Sequence, residues 1–159
     1  MSATRRPSGL TLVELIATLA IAALLLGVAV PSFSRFMAEQ SVRGAATDLQ
    51  TALLVVRSEA LKHNARVALA PQASGWSSGW TVPDPVVAGG FLLRRTLPAG
   101  VTIVCTGCAG PGVEYRPSGR VGTTPPPVFC LTATRVTSVK RAVRIELSGQ
   151  PIMQRECPH

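Results

Sequence analysis

The chain has 159 residues and a formal net charge of +8, with 16 Lys and Arg residues against 8 Asp and Glu residues. Because one domain takes about 100–200 residues, this length excludes several large domains and leaves room for one small domain plus an anchor. The basic excess favours an anionic partner, such as anionic lipid, an acidic protein subunit or nucleic acid.

The first element is an apolar segment preceded by a short basic head. Arg5 and Arg6 come first, and residues 15–34 contain no charged side chain. Residues 10–30 would cover about 31 Å as a helix, which is enough to cross a bilayer. Lys and Arg beside a membrane span stay in the cytoplasm, so we expect the rest of the chain to face outward.

Glu14 lies near the start of this apolar segment. A carboxylate at the membrane centre costs about 2.5–3.5 kcal/mol on insertion scales, so a carboxylate in a span usually meets a partner. Glu14 is therefore the first candidate functional residue.

The basic head, Gly9 and the glutamate five residues later resemble the class III leader of type IV pilins and pseudopilins. The resemblance implies that a prepilin peptidase cuts between Gly9 and Leu10, and that the new N-terminal Leu10 is methylated. It also implies that Glu14 pairs with the free amino terminus of a neighbouring subunit. Most members have Phe after the glycine, and Leu10 keeps that position apolar.

The alternative is an ordinary secretory signal peptide that is cut after Ala29. Two features count against it. Glu14 lies inside the apolar region, and the region is longer than the 7–15 residues that such peptides usually carry.

After Pro31 the apolar pattern becomes amphipathic. Apolar residues recur at spacings of three and four, which predicts a helix with one buried stripe, made of Val42, Ala45, Ala46, Leu49, Leu53, Val56 and Ala60. We expect one long helix over about residues 10–63, bent near Pro31 and ending at Asn64.

From residue 66 onward the helical period disappears, and short β-prone runs alternate with Gly, Pro and Ser clusters. These runs predict strands at residues 67–70, 79–82, 91–95, 101–104, 113–116, 128–134, 142–147 and 152–154. The expected fold is α+β, a long helix packed on an antiparallel sheet. The expected divisions are a leader (1–9), a membrane and filament-core helix (10–30), an amphipathic helix (31–64) and a β-rich head (65–159).

Several later segments resemble the H-type minor pseudopilins of type II secretion and the related T-type minor pilins. They are residues 56–62, the two tryptophan positions Trp76 and Trp80, residues 113–119 and residues 142–157. The resemblance implies a structural subunit near the tip of a periplasmic filament, anchored in the bacterial inner membrane, with other pseudopilins and prepilin peptidase as partners. The alternative is a minor type IV pilin for pilus assembly or DNA uptake.

No enzyme motif stands out in the sequence. A Ser-His-Asp set, a catalytic carboxylate pair and a phosphate-binding glycine loop are all missing. We expect no enzymatic activity, no cofactor and no small-molecule substrate.

Four cysteines lie in the last third of the chain, which the topology places outside the cytoplasm. An even number in an oxidising compartment indicates disulfides, and four cysteines allow three pairings. Our first choice joins Cys130 to Cys157, which would pin the last hairpin to the sheet, and leaves Cys105 and Cys108 as a local bridge. Zinc binding by Cys105 and Cys108 is the alternative, but a second ligand pair at suitable spacing is missing, so no metal is expected.

A basic run near the C-terminus raises the question of DNA binding. T-type pilins linked to DNA uptake carry a Gly-Arg-x-Arg element, whereas the matching segment here begins Gly149-Gln150 and lacks both arginines. Lys140, Arg141 and Arg144 could supply a looser patch for phosphates.

Overall fold

The computed structural model describes residues 11–108 and 112–157, without the side chains of residues 28–31. The chain divides into two compact units, Met1–Phe36 and Met37–His159. The expected leader (1–9) and the expected cleavage between Gly9 and Leu10 fall outside the described residues, as does the environment of the Pro31 ring. The bend at Pro31 stays a prediction.

Helix α1 runs from Leu12 to Lys62 and confirms the expected long helix. Its start is capped by Thr11, whose Oγ1 accepts a hydrogen bond from the Glu14 backbone N–H at 3.3 Å. Its end is the predicted Asn64, which has a φ of 49°. There the N–H of Ala65 donates to the carbonyl of Ala60 at 3.2 Å, which is the bond expected when a left-handed residue terminates a helix.

Within the residues that the structure describes, eight strands follow the helix, all in antiparallel pairs. They are β1 (Val67–Gln72), β2 (Gly75–Pro83), β3 (Phe91–Arg95), β4 (Val101–Thr106), β5 (Val113–Tyr115), β6 (Val128–Ala133), β7 (Lys140–Ile145) and β8 (Pro151–Gln154). They form two four-stranded sheets, with the orders β3-β2-β1-β5 and β4-β6-β7-β8. The expected α+β fold is confirmed, with two sheets in place of one.

Two strand boundaries differ clearly from expectation. β2 begins at Gly75 rather than at residue 79, because glycine and serine mask its first half in the sequence. β7 lies two residues earlier than expected, since Glu146 and Leu147 belong to a turn. In that turn Gly149 has a φ of 84° and donates its N–H to the Glu146 carbonyl at 2.8 Å.

The predicted helix stripe is the centre of the core, and all seven of its residues are at most 3% exposed. They pack with large side chains from both sheets, including Trp80, Tyr115 and Phe129. Trp76 packs edge-on against Phe129, with ring centroids 4.9 Å apart. Both tryptophans therefore serve the packing of the head.

Candidate functional site

The first half of α1 presents an exposed apolar surface. All its large side chains between residues 12 and 26 are at least half exposed, from Leu15 at 50% to Leu12 at 75%. Apolar area on this scale is unfavourable in water, so it calls for a membrane or for other subunits. By length and composition, this is the one helix in the described residues that is able to cross a membrane.

Glu14 lies in the first turn of this apolar helix, and its side chain is exposed. The positive end of the helix dipole stabilises a negative charge at that position. Within the described part of the chain, its carboxylate oxygens accept no hydrogen bond and form no salt bridge, whereas its backbone is held by Thr11.

Arg57 ties the helix to two loops of the head, and sequence reasoning missed this role. Its Nε donates to the Gly119 carbonyl at 3.1 Å, and its Nη2 donates to the Ser148 carbonyl at 3.3 Å. Its Nη1 donates to the side-chain oxygen of Gln150. The sequence does offer one signal for this role: Arg57 directly follows Val56 and so lies at the margin of the buried stripe.

Tyr115, the last residue of β5, binds the loop that contains Gly149. Its hydroxyl is buried and donates to the Gly149 carbonyl at 3.0 Å. Burial raises the pKa of Tyr115, so the hydroxyl stays protonated and able to donate. A Cβ on Gly149 would lie 2.0 Å from the Gly119 carbonyl oxygen, which shows how closely the loops approach.

The segment that matches the DNA-uptake element is therefore occupied by internal contacts. Gly149 packs against Gly119, and Gln150 binds Arg57. The next residue, Pro151, accepts a hydrogen bond from Gln50 of the helix at 3.1 Å. This segment fastens the last hairpin to α1.

The structure joins Cys105 to Cys108 and Cys130 to Cys157, the pairs chosen from the sequence. Cys130 lies on β6, and Cys157 follows β8, so the second bridge links the chain end to a central strand of its sheet. No cluster of three or more metal-binding side chains occurs in the residues that the structure describes.

The three basic residues of β7 do not share a face. Lys140 pairs with Thr132 and Arg144 with Val128, whereas Arg141 pairs with Leu131, a core residue. Because successive strand residues point to opposite faces, Lys140 and Arg144 lie on the outer face and Arg141 on the inner one. The structure thus places two of the three candidate DNA-binding residues on one face of the sheet.

Two family models match the sequence. The one described as type II transport protein GspH matches residues 45–150. The one described as the prokaryotic N-terminal methylation motif matches residues 4–30. No curated protein sequence matches this chain.

Solved structures of pilin-like proteins have a similar fold. The type IV minor pilin FimU of Pseudomonas aeruginosa strain PAO1 is 18% identical, with a TM-score of 0.60, over 77% of this chain and 92% of that one. The minor pseudopilin EpsH from the type 2 secretion system of Vibrio cholerae is 13% identical, with a TM-score of 0.59, over 76% of this chain and 98% of that one.

Proposed function

The chain belongs to the family of the type II transport protein GspH, and we propose that it works at or near the tip of a short periplasmic filament. It is a minor pseudopilin, a pilin-like structural subunit of protein secretion. As a structural subunit, it is proposed to act by assembly and not by catalysis. The exposed apolar surface of the first half of α1 is the observation that carries this proposal. Such a surface needs a membrane before assembly and other subunits afterwards.

The proposed maturation begins in the inner membrane. Prepilin peptidase removes residues 1–9 on the cytoplasmic side, and Leu10 becomes the methylated N-terminus. The match of residues 4–30 to the methylation motif supports this step. Residues 10–30 then anchor the subunit, with residues 31–64 and the head (65–159) in the periplasm.

Mass spectrometry of the mature protein tests this processing. The expected N-terminal residue is N-methyl-Leu10. A mature terminus at Val30 would instead establish cleavage of an ordinary secretory signal peptide and contradict the proposal.

In the proposed assembly, the Glu14 carboxylate pairs with the free amino terminus of a neighbouring subunit. Its exposure in the first turn of α1 supports this role, as does the lack of any described partner within the chain. The pair compensates the cost of the carboxylate among apolar side chains.

The second candidate function is that of a minor type IV pilin, which the fold similarity to FimU favours. Lys140 and Arg144, on one outer face, are then the residues proposed to contact DNA during uptake. Deletion of the gene, with measurement of exoprotein release, twitching and transformation in the same strain, separates the two functions. Loss of exoprotein release alone is expected. Loss of twitching or transformation with normal release would favour the pilin.

A further inference from the structure

A groove on the head follows the loop between β5 and β6. It consists of two adjoining cavities of about 240 Å³ each, which share Arg116 and Thr123. The first cavity also contains Arg66 and Glu114, and the second contains Arg120. We call the two cavities together the arginine groove.

The loop that carries Arg116 and Arg120 is held in one conformation by backbone hydrogen bonds. The Arg116 N–H donates to the Arg120 carbonyl at 2.8 Å, and the Gly119 N–H donates to the Arg116 carbonyl at 2.8 Å. Arg57 binds the Gly119 carbonyl from the helix. The side chains of the two arginines therefore extend from a loop with a fixed backbone. This lowers the conformational entropy that the loop loses when a ligand binds.

The charges of the arginine groove are not balanced. Glu114 pairs with Arg66 at 3.1 Å. Arg116 donates to the Gly122 carbonyl at 3.3 Å, and neither Arg116 nor Arg120 forms a salt bridge with a described carboxylate. The described residues that line the second cavity include three with hydroxyl groups and none with a carboxylate. Two guanidinium groups in such a cavity suit a carboxylate or a phosphate.

Part of the wall beside these arginines is apolar, and this favours a carboxylate on a protein segment over a phosphate. Leu147, 68% exposed, lines the second cavity together with Val121 and Pro126. None of the described residues that line the walls carries an aromatic ring on which a base could stack, and a cavity of about 240 Å³ admits side chains and not a duplex. A ligand with an acidic side chain next to an apolar one matches both the positive charge of the arginines and the apolar part of the wall.

We propose that the arginine groove binds an acidic segment of a partner protein. A Glu or Asp side chain of that segment binds between Arg116 and Arg120, and a neighbouring apolar side chain packs on Leu147. The proposal goes beyond the filament role, since it concerns a peptide site on the head that needs no assembled filament.

The test uses the full-length chain in detergent micelles and measures the fluorescence anisotropy of labelled peptides. The probes are acetyl-Gly-Glu-Leu-Glu-Gly-amide and its matched Gln version. We expect the Glu peptide to bind at least about tenfold more tightly, as hydrogen bonds to charged groups imply. The double variant R116Q/R120Q should bind the Glu peptide about tenfold more weakly than the parent chain does. The control R135Q, an exposed arginine in the turn before β7, should bind as the parent does.

Leu147→Ser gives an independent check, because it leaves the charge unchanged and alters an exposed side chain. It should weaken the binding of the Glu peptide several-fold, because the apolar contact is lost. Equal binding of the two peptides, or an equal loss in R135Q, would overturn the proposal. If a 20-base-pair DNA duplex bound more tightly than the Glu peptide at physiological salt, the proposal would be overturned in favour of a nucleic-acid site. Inorganic phosphate that binds as tightly as the peptide would also overturn it, by showing a site for any anion.

Discussion

Arg57 and Gly119 are 62 residues apart in the chain, yet the Arg57 Nε lies 3.1 Å from the Gly119 carbonyl oxygen. The same guanidinium reaches the Ser148 carbonyl and the Gln150 side chain, so one residue of the helix holds two loops of the head. One of these loops carries the two arginines of the proposed peptide site, and the other carries Leu147 of that site and the segment that matches the DNA-uptake element.

Arg57→Ala should therefore destabilise the head. It removes three hydrogen bonds from a half-buried arginine and leaves the Gly119 carbonyl without this donor, which should cost about 2 kcal/mol. Urea unfolding followed by tryptophan fluorescence measures the change. Arg43→Ala is the matched control, since Arg43 is exposed on the same helix. Equal effects of the two variants would show that Arg57 does not hold the loops.

Gly149→Ala should cost more than the same change at Gly100. The two glycines have nearly equal φ angles, 84° and 82°, so the backbone strain of an alanine is about 1 kcal/mol at either site. At Gly149 the new Cβ would also meet the Gly119 carbonyl oxygen at 2.0 Å, whereas at Gly100 nothing lies within 4 Å. Thermal unfolding of the two variants isolates the steric cost. A Tm for Gly149→Ala at or above that of Gly100→Ala would contradict the close approach.

These contacts mark the limit of what the sequence predicts. The buried stripe of α1 was predictable because burial repeats with the helical period, and each of its residues, from Val42 to Ala60, lies in the core. The partners of Arg57 were not, since they are mainly backbone carbonyls 62 and 91 residues away and leave no local pattern.

The faces of the basic residues of β7 were not predicted either. Lys140, Arg141 and Arg144 are close in sequence, but the strand period of two places Arg141 on the face opposite to the other two. That separation was open to inference once a strand was assigned there. The expected strand began at residue 142, however, and so excluded Lys140 and Arg141 from the alternation.

Tyr115 should make the head sensitive to alkaline pH. Because burial raises the pKa of Tyr115 in the folded state, the unfolded chain loses this proton first as pH rises above about 10. The folded state then binds more protons than the unfolded state, so the free energy of unfolding falls with rising pH in that window. Tyr115→Phe should lack this component of the alkaline loss in urea unfolding between pH 8 and 11. Identical pH profiles for parent and variant would refute the assignment.

The disulfide between Cys130 and Cys157 should contribute more stability than the one between Cys105 and Cys108. The first closes a loop with a sequence separation of 27, and the second has a separation of 3. In the chain-entropy model these loops stabilise the fold by about 3.5 and about 2 kcal/mol. Paired Cys→Ser variants, compared by urea unfolding, should follow that order. Peptide mapping that found Cys105 joined to Cys130 would contradict both bridges.

Glu14→Ala tests the proposed assembly contact without altering the head. The variant should insert in the membrane and be processed normally, since removal of a carboxylate lowers the cost of insertion. It should fail to enter filaments, because the proposed pair with a neighbour's amino terminus is lost. Asp48→Ala is the matched control, an exposed carboxylate on the same helix within the head unit. Cysteine crosslinking to neighbouring subunits in isolated cell envelopes measures incorporation, and normal incorporation of Glu14→Ala would rule out the pairing role.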